Sequence, residues 1–408
     1  MNLVVLTPHF APDVAPTGDV VTRVVDELAR RNHRIEVVTS LPWYRHHRIE
    51  SGYEGRLFRL EDTPWGRITR IHPFPGKDKR NIVRRAAAFA GFTALATILG
   101  RRGEDADGVL AVSPPLTLGL AGWRVARARR AAFVFNVQDV YPDVAVKLGM
   151  LESRAVIAAA SLLERLCYKK ADAITVLSDD LKNNIASKLS DPSKVRVIPN
   201  FVDTGWIVPA ERENDYRREF ELSGKFVVMY AGNVGLSQSL DTVIQAATAL
   251  SYEKDLVFVI NGAGARRMEL ESMAAGLPNV LFVDMQPQQR LPDVIAAADV
   301  HLVPLKRGLA RSSVPSKTYS IWAGARPLIA AVDENSEIAH VVQRAGAGLA
   351  IPPEDPEALA KAVRRMLEGP DEARRMGEAG RSFVEGWASP AAVATAYEEL
   401  LSELATAR

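Results

Sequence analysis

The sequence predicts an α/β protein built as two doubly wound domains. Three observations carry that expectation. Twelve short apolar runs recur along 408 residues, helical patterns fall between most of them, and the runs form two sets of six. Strands that are apolar throughout need cover on both faces, and the helices that connect parallel strands supply it. A chain of this length is also too long for one ordinary core.

The first set of strands is expected at 3–6, 35–39, 109–112, 132–137, 173–177 and 195–198. The second is expected at 226–230, 256–260, 280–283, 300–303, 328–332 and 348–351. Helical periodicity marks 19–31, 153–170, 240–250 and 356–367 among the connections. Residues 203–224 hold a proline, a charged helical turn and a glycine but no apolar run, and read as a linker. From about Phe383 no strand follows, and "SPAAVATAYEELLSELATAR" has a Ser-Pro start and an amphipathic pattern. The expected division is therefore 1–205, 206–382 and a final helix within 383–408.

Composition narrows the class. Hydrophobic residues make up 47% and charged residues 25%, as in an ordinary globular chain. A formal net charge of +2 speaks against a nucleic-acid binder by bulk charge. The charge is uneven: residues 41–102 carry 13 Lys/Arg against 5 Asp/Glu. The single cysteine, Cys167, excludes an intrachain disulfide and a Cys-rich metal site. A strand at 2–7 with no basic segment before it reads as lacking a signal peptide, so the expected compartment is the reducing cytoplasm.

Several strand-to-helix turns carry candidate chemistry, because parallel sheets bind ligands at their carboxyl edge. "FAPDVAPTGD", 10–19, follows the first strand, and Gly18 would let a phosphate or hydroxyl approach backbone; a plain turn capped by Asp19 is the simpler alternative. "FNVQDVYPDV", 135–144, ends a buried strand in Gln138 and Asp139 and sets a carboxylate over the same edge. In "VINGAGARR", 259–267, Gly262 and Gly264 begin a dinucleotide fingerprint whose third glycine is replaced by Arg267, so a tight turn is preferred to a nicotinamide site. Asp105-Ala106-Asp107 precedes its strand and reads as a solvated loop. Seven histidines show no ligand spacing, so no metal is expected, and no Gly-x-Ser-x-Gly elbow is present.

Two further stretches bear on function. In "VPSKTYSIWAGARPLIAAV", 314–332, Lys317 occupies the first turn of a helix, where the macrodipole disfavours a cation unless an anion joins it. In 76–103 an apolar run, 86–99, lies between arginine pairs. It is too short to cross a bilayer, which takes about twenty residues. It suits an anionic membrane surface or a buried helix with a charged end, and the local basicity favours the former.

Together the blocks "VVMYAGNVGLSQSLDTVIQAA" (227–247), "VFVINGAGARRMELE" (257–271), "QQRLPDVIAAADVHLVPLK" (288–306) and "VPSKTYSIWAGARPLIA" (314–330) resemble a GT-B glycosyltransferase of family four, whose members use nucleotide sugars and retain anomeric configuration. The resemblance covers nearly the whole chain. "SVPSKTYSIWAGARP", 313–327, is similar to the branch containing bacterial N-acetylfucosamine transferases of O-antigen and capsule assembly. It implies two Rossmann-like domains facing a central cleft, the donor nucleotide on the second, the acceptor on the first, and a C-terminal helix crossing back. Three positions depart from the family: its paired glutamates fall on Ser312 and Ser320, its basic pair on Asn233 and Gln238, and a histidine on Gln138.

The resemblance then assigns roles. Lys317 and Arg311 would hold the departing diphosphate, and Asp139 would orient the acceptor or offset positive charge on the sugar. Gly18, Gly232, Asn233, Gly262, Met285, Gln286, Ser312, Ser313 and Ser316 would line the donor site, and His9, Asp13 and Gln138 the acceptor site. No cofactor is implied; a UDP-linked sugar is the expected substrate. A lipid-linked or surface-glycan acceptor at the inner membrane face, reached through 76–103, is the expected partner. An epimerase of UDP-N-acetylglucosamine and a non-catalytic membrane scaffold remain as alternatives.

Overall fold

The structure, a computed structural model, describes residues 1–13, 15–44, 48–74, 82–143, 146, 151–308 and 316–407. The chain forms two compact units, one of Met1–Asn200 with Val393–Arg408 and one of Phe201–Ala392. Each is a Rossmann-like α/β layer structure, as the apolar runs predict.

The first unit holds β1 (Asn2–Leu6), β2 (Arg34–Ser40), β3 (Phe58–Thr63), β4 (Gly66–Ile71), β5 (Gly108–Ser113), β6 (Ala132–Val137), β7 (Ala173–Val176) and β8 (Val195–Val197). Their order is β3-β4-β2-β1-β5-β6-β7-β8. The interior strands pair in parallel, and β1, β5 and β6 are buried almost throughout. Its helices are α1 (Pro16–Arg30), α2 (Ile82–Gly100), α3 (Leu118–Ala128), α4 (Arg154–Lys170) and α5 (Asp179–Ala186). Strand order reverses between β1 and β5, so the loops after these two strands diverge and open a crevice at the carboxyl edge.

The hairpin β3–β4 corrects the expected six strands to eight. Its sequences, FRLEDT and GRITRI, are at least half polar and lie at the sheet edge, where no residue of β3 is buried. Antiparallel pairing of β3 with β4, and parallel pairing of β4 with β2, satisfy its backbone. An edge strand has little apolar content because one side faces water.

The second unit holds β9 (Phe226–Ala231), β10 (Leu256–Asn261), β11 (Val280–Val283), β12 (Val300–Pro304), β13 (Leu328–Ala331) and β14 (Gly348–Ile351), ordered β11-β10-β9-β12-β13-β14 and all parallel. Its helices are α6 (Asp215–Glu219), α7 (Leu240–Ala249), α8 (Arg267–Met273), α9 (Leu291–Ala296), α10 (Ser316–Ala323), α11 (Glu337–Ala345), α12 (Pro356–Glu368) and α13 (Pro370–Trp387). The reversal here lies between β9 and β12. The stretch read as a linker is built into this unit. Asn214 caps α6, and the fully buried Arg217 pairs with Asp299 at 2.5 Å and donates to the carbonyls of Ala297 and Lys225.

The last helix, α14 (Pro390–Thr406), starts at the end of the second unit and from Val393 onward belongs to the first. There Tyr397 is buried and bonds to Asn136 of β6 at 2.9 Å.

Candidate functional site

In the second unit the site grows from the reversal between β9 and β12. Tyr230, near the end of β9, is fully buried, and its hydroxyl donates to the Asn233 carbonyl at 2.5 Å. Lys317, one residue into α10, places its ammonium 3.2 Å from that hydroxyl and 4.2 Å from the Tyr230 ring centroid. Gly232, at φ +142°, makes this approach possible: a Cβ there would lie 3.1 Å from the Lys317 nitrogen. Among the described residues no carboxylate pairs with Lys317. Burial pushes its ammonium down to about 8. A cation on a ring face at the start of a helix is a geometry that suits an anion.

The loops around it are packed backbone to backbone. A Cβ on Gly262 would fall 1.9 Å from the Gly232 carbonyl oxygen, and one on Gly264 would fall 2.2 Å from that of Val234. The Val234 amide donates to Ala263 at 2.9 Å and the Gly232 amide to Asn261 at 3.0 Å. The two glycines therefore seat the loop after β9 against the loop after β10. That is more specific than the tight turn expected from sequence. Arg267, where the third fingerprint glycine would stand, donates to the Val283 carbonyl at 3.0 Å and pairs with Asp284 at 3.0 Å and Glu271 at 2.7 Å.

The other expected donor residues fall as follows. Asn233 is exposed at the tip of the β9 loop, and Gln238 accepts from the Gly235 amide at 3.2 Å. Met285 is exposed after β11, and Gln286 accepts from Arg290 at 2.8 Å. Ser316 opens α10. Arg311, Ser312 and Ser313 lie outside the described residues.

In the first unit the site follows β1 and β6. Asp13 is buried, and its carboxylate is fully engaged. One oxygen accepts from the amides of Trp43 at 3.2 Å and Tyr44 at 2.9 Å, and the other lies 2.6 Å from His9 Nδ1. That contact fixes the imidazole, which also packs on Trp43 and edge-on to Tyr44. Gly18 lies in the first turn of α1, which starts at Pro16 rather than at Asp19. A Cβ on Gly18 would be 2.8 Å from that of His9, so glycine lets the His9 loop settle on the helix start. The Asp13 carboxylate is thus taken up by His9 and two backbone amides.

Gln138 and Asp139 follow β6 directly. Gln138 donates to Asn136 at 2.6 Å and accepts from Asn200 at 3.3 Å. Asp139 keeps an exposed edge, while neighbouring protein raises its carboxyl above the usual range by desolvation. Asp107, in the pair set aside as a loop, accepts from the Asn2 amide at 2.6 Å. Among the described residues no group of His, Cys, Asp and Glu could hold a metal ion, and no helix is long and apolar enough to cross a membrane.

Sequence reading missed Tyr230 as the partner of Lys317, and Thr175 and Tyr397 as partners of Asn136. The available signal for Tyr230 was a polar-tipped aromatic near the end of an otherwise apolar strand, two residues before a glycine.

Comparisons with known proteins agree with this architecture. A family model described as a glycosyl transferase 4-like domain matches residues 17–200, and one described as glycosyl transferases group 1 matches 225–369. The chain is 26% identical over 379 residues to the putative colanic acid biosynthesis glycosyl transferase WcaI of Escherichia coli K12, covering 90% of this chain and 92% of that protein. It is 28% identical over 302 residues to the probable glycosyltransferase WbjE of Pseudomonas aeruginosa, covering 72% and 75%. Among solved structures, the sucrose-phosphate synthase of Thermosynechococcus elongatus superposes with TM-score 0.69 at 19% identity over the full length of both chains. HepE of Anabaena in complex with UDP gives 0.65 at 12% identity over 99% of this chain and 100% of that one.

Proposed function

We propose that this chain, a GT-B-fold relative of the bacterial family-four sugar transferases, moves a sugar from a UDP-linked donor to a glycan or lipid-linked acceptor. In this reading residues 206–382 bind the donor, 1–205 the acceptor, and the helix within 383–408 returns to the acceptor domain. The observation that carries it is Lys317, a half-buried ammonium on the Tyr230 ring with no carboxylate partner among the described residues.

Cleavage of the bond from the anomeric carbon to the nucleotide leaves a diphosphate that gains negative charge in the transition state. Lys317, Arg311 and the first-turn amides of α10 offset that charge, with no metal in the reaction. Gly232, Asn233, Gly262, Met285 and Gln286 line the nucleotide. Ser312 and Ser313 take the hydrogen bond that a family glutamate makes elsewhere, and Ser316 lines the donor site. Anomeric configuration is retained, and the leaving phosphate accepts the proton of the acceptor hydroxyl. His9 and Gln138 orient that acceptor, with Asp13 fixing His9. Gly18 lets the donor approach, and Asp139 sits beside the reacting sugar.

The sugar is an N-acetylated hexosamine, on the likeness of 313–327 to the N-acetylfucosamine branch. The acceptor is met at the inner membrane face, where 76–103 supplies the contact. WcaI, named for colanic acid biosynthesis, supports an envelope polysaccharide as the product class.

A screen of UDP- and GDP-sugars tests the reading, with free nucleotide diphosphate measured with and without a lipid-linked acceptor. Acceptor-dependent UDP release that Lys317→Met abolishes is the expected result. UDP release without acceptor, alongside a 2-epimerised sugar, would favour the epimerase instead. No binding of any nucleotide sugar would end the proposal.

A further inference from the structure

We infer that the helical layer α2–α3–α4 docks on an anionic lipid surface, with α4 as its principal contact. This extends the membrane part of the reading above from residues 76–103 to α4, and it does not depend on the transfer chemistry.

The three helices lie on one side of the first unit's sheet and share one core, in which Phe92, Ala96, Val125, Cys167 and Tyr168 are buried. In α2 these inward residues take up one face, so the apolar run 86–99 is partly spent on the fold. Its outward face keeps Ile98, 53% exposed. The larger apolar surface lies on α4, which turns Glu164, Cys167 and Tyr168 inward. Its outward side carries Val156, Leu162 and Leu166, exposed by 48%, 71% and 39%. Leu162 and Leu166 continue the stripe of Ala155 and Ala159 at helical spacing.

Charge says what covers this face. The sequences of α2, α3 and α4 contain one acid, Glu164, and its carboxylate is buried against Lys188 at 2.7 Å. Among the described residues the exposed charges are Arg124 and Arg127 on α3 and Arg154, Arg165 and Lys169 on α4. Arg124, Arg127 and Lys170 surround the ring of Trp123, an aromatic suited to an interface. A second copy related by a twofold axis would set cations against cations. An anionic bilayer meets both features at once, taking the leucines at its acyl boundary and the cations among its headgroups.

Cosedimentation of the full chain with vesicles tests this. Vesicles of phosphatidylcholine mixed with phosphatidylglycerol should bind it at low salt, and phosphatidylcholine alone should not. The double variant Val156→Glu/Leu162→Glu should lose roughly tenfold or more in binding. Its thermal midpoint should be unchanged, since both side chains are exposed, and Ile98→Glu should lose less. Equal binding by the double variant, or equal binding to both vesicle types, overturns the inference. So does sedimentation equilibrium showing a dimer that Leu162→Glu disperses. Nucleotide-sugar binding without vesicles, measured on the same proteins, keeps the two readings apart. Its absence in the wild type counts against the transferase, while the vesicle result stands alone.

Discussion

Lys317 is held where a charge is disfavoured, and its burial has two opposite consequences. With its folded-state value near 8 and its unfolded value about 10.4, protonation opposes folding. The cost is fully present below pH 8 and fades as pH rises towards the unfolded value. Lys317→Met should therefore raise the thermal midpoint of the unliganded chain at pH 7, read by calorimetry. Ligand binding has the reverse dependence, because a diphosphate needs the ammonium. Affinity for UDP should be flat below about pH 8 and fall up to about tenfold per unit above it. In Lys317→Met it should be about 10- to 100-fold weaker and lose that inflection, by titration calorimetry. Asp13 offers a second residue-scale test. Its two amide contacts require an acceptor, and Asn would set an NH2 donor against either those amides or His9 Nδ1. Asp13→Asn should cost about 1–3 kcal/mol in urea unfolding. If acceptor KM then rose no further than stability alone explains, His9 would not be the group it serves.

At the scale of elements, the loops after β9 and β10 fit because two glycines remove what would collide. Gly262→Ala drives a methyl into the Gly232 carbonyl and should cost about 1–3 kcal/mol along with nucleotide binding. Gly276→Ala, at φ +83° with nothing within 4 Å, should cost only about 1 kcal/mol and leave binding intact. Comparing the two by denaturation and UDP titration separates crowding from backbone strain. These loops also show what sequence could convey. Parallel strands buried on both faces were legible as apolar runs, and Lys317 was legible as a charge misplaced on a helix start. The β3–β4 hairpin was not, because an edge strand mixes Arg, Glu and Asp into its pattern. Nor was the match of Gly262 to Gly232, thirty residues earlier, since a backbone contact leaves no mark on side-chain type. The contacts of Asp13 were not legible either, because its amide donors lie about thirty residues away in a loop without a motif.

At the scale of the molecule, the first unit is made from both ends of the chain. Tyr397 of α14 bonds to Asn136 at 2.9 Å within a buried polar cluster that includes Thr175, and Glu398 pairs with Arg31 at 2.8 Å and His33 at 3.0 Å. Tyr397→Phe should cost about 0.5–1.5 kcal/mol and raise hydrogen exchange in β6 and β7, with little effect in β9 to β14. An equal rise in both sheets would show that α14 holds more than the first unit. The same arrangement sets an order on synthesis. When residue 200 leaves the ribosome, Asn136 and Thr175 still lack their tyrosine, and the intervening unit must be translated first. At roughly 5–20 residues per second the nascent sheet waits on the order of ten to forty seconds, incomplete, for the segment that closes it.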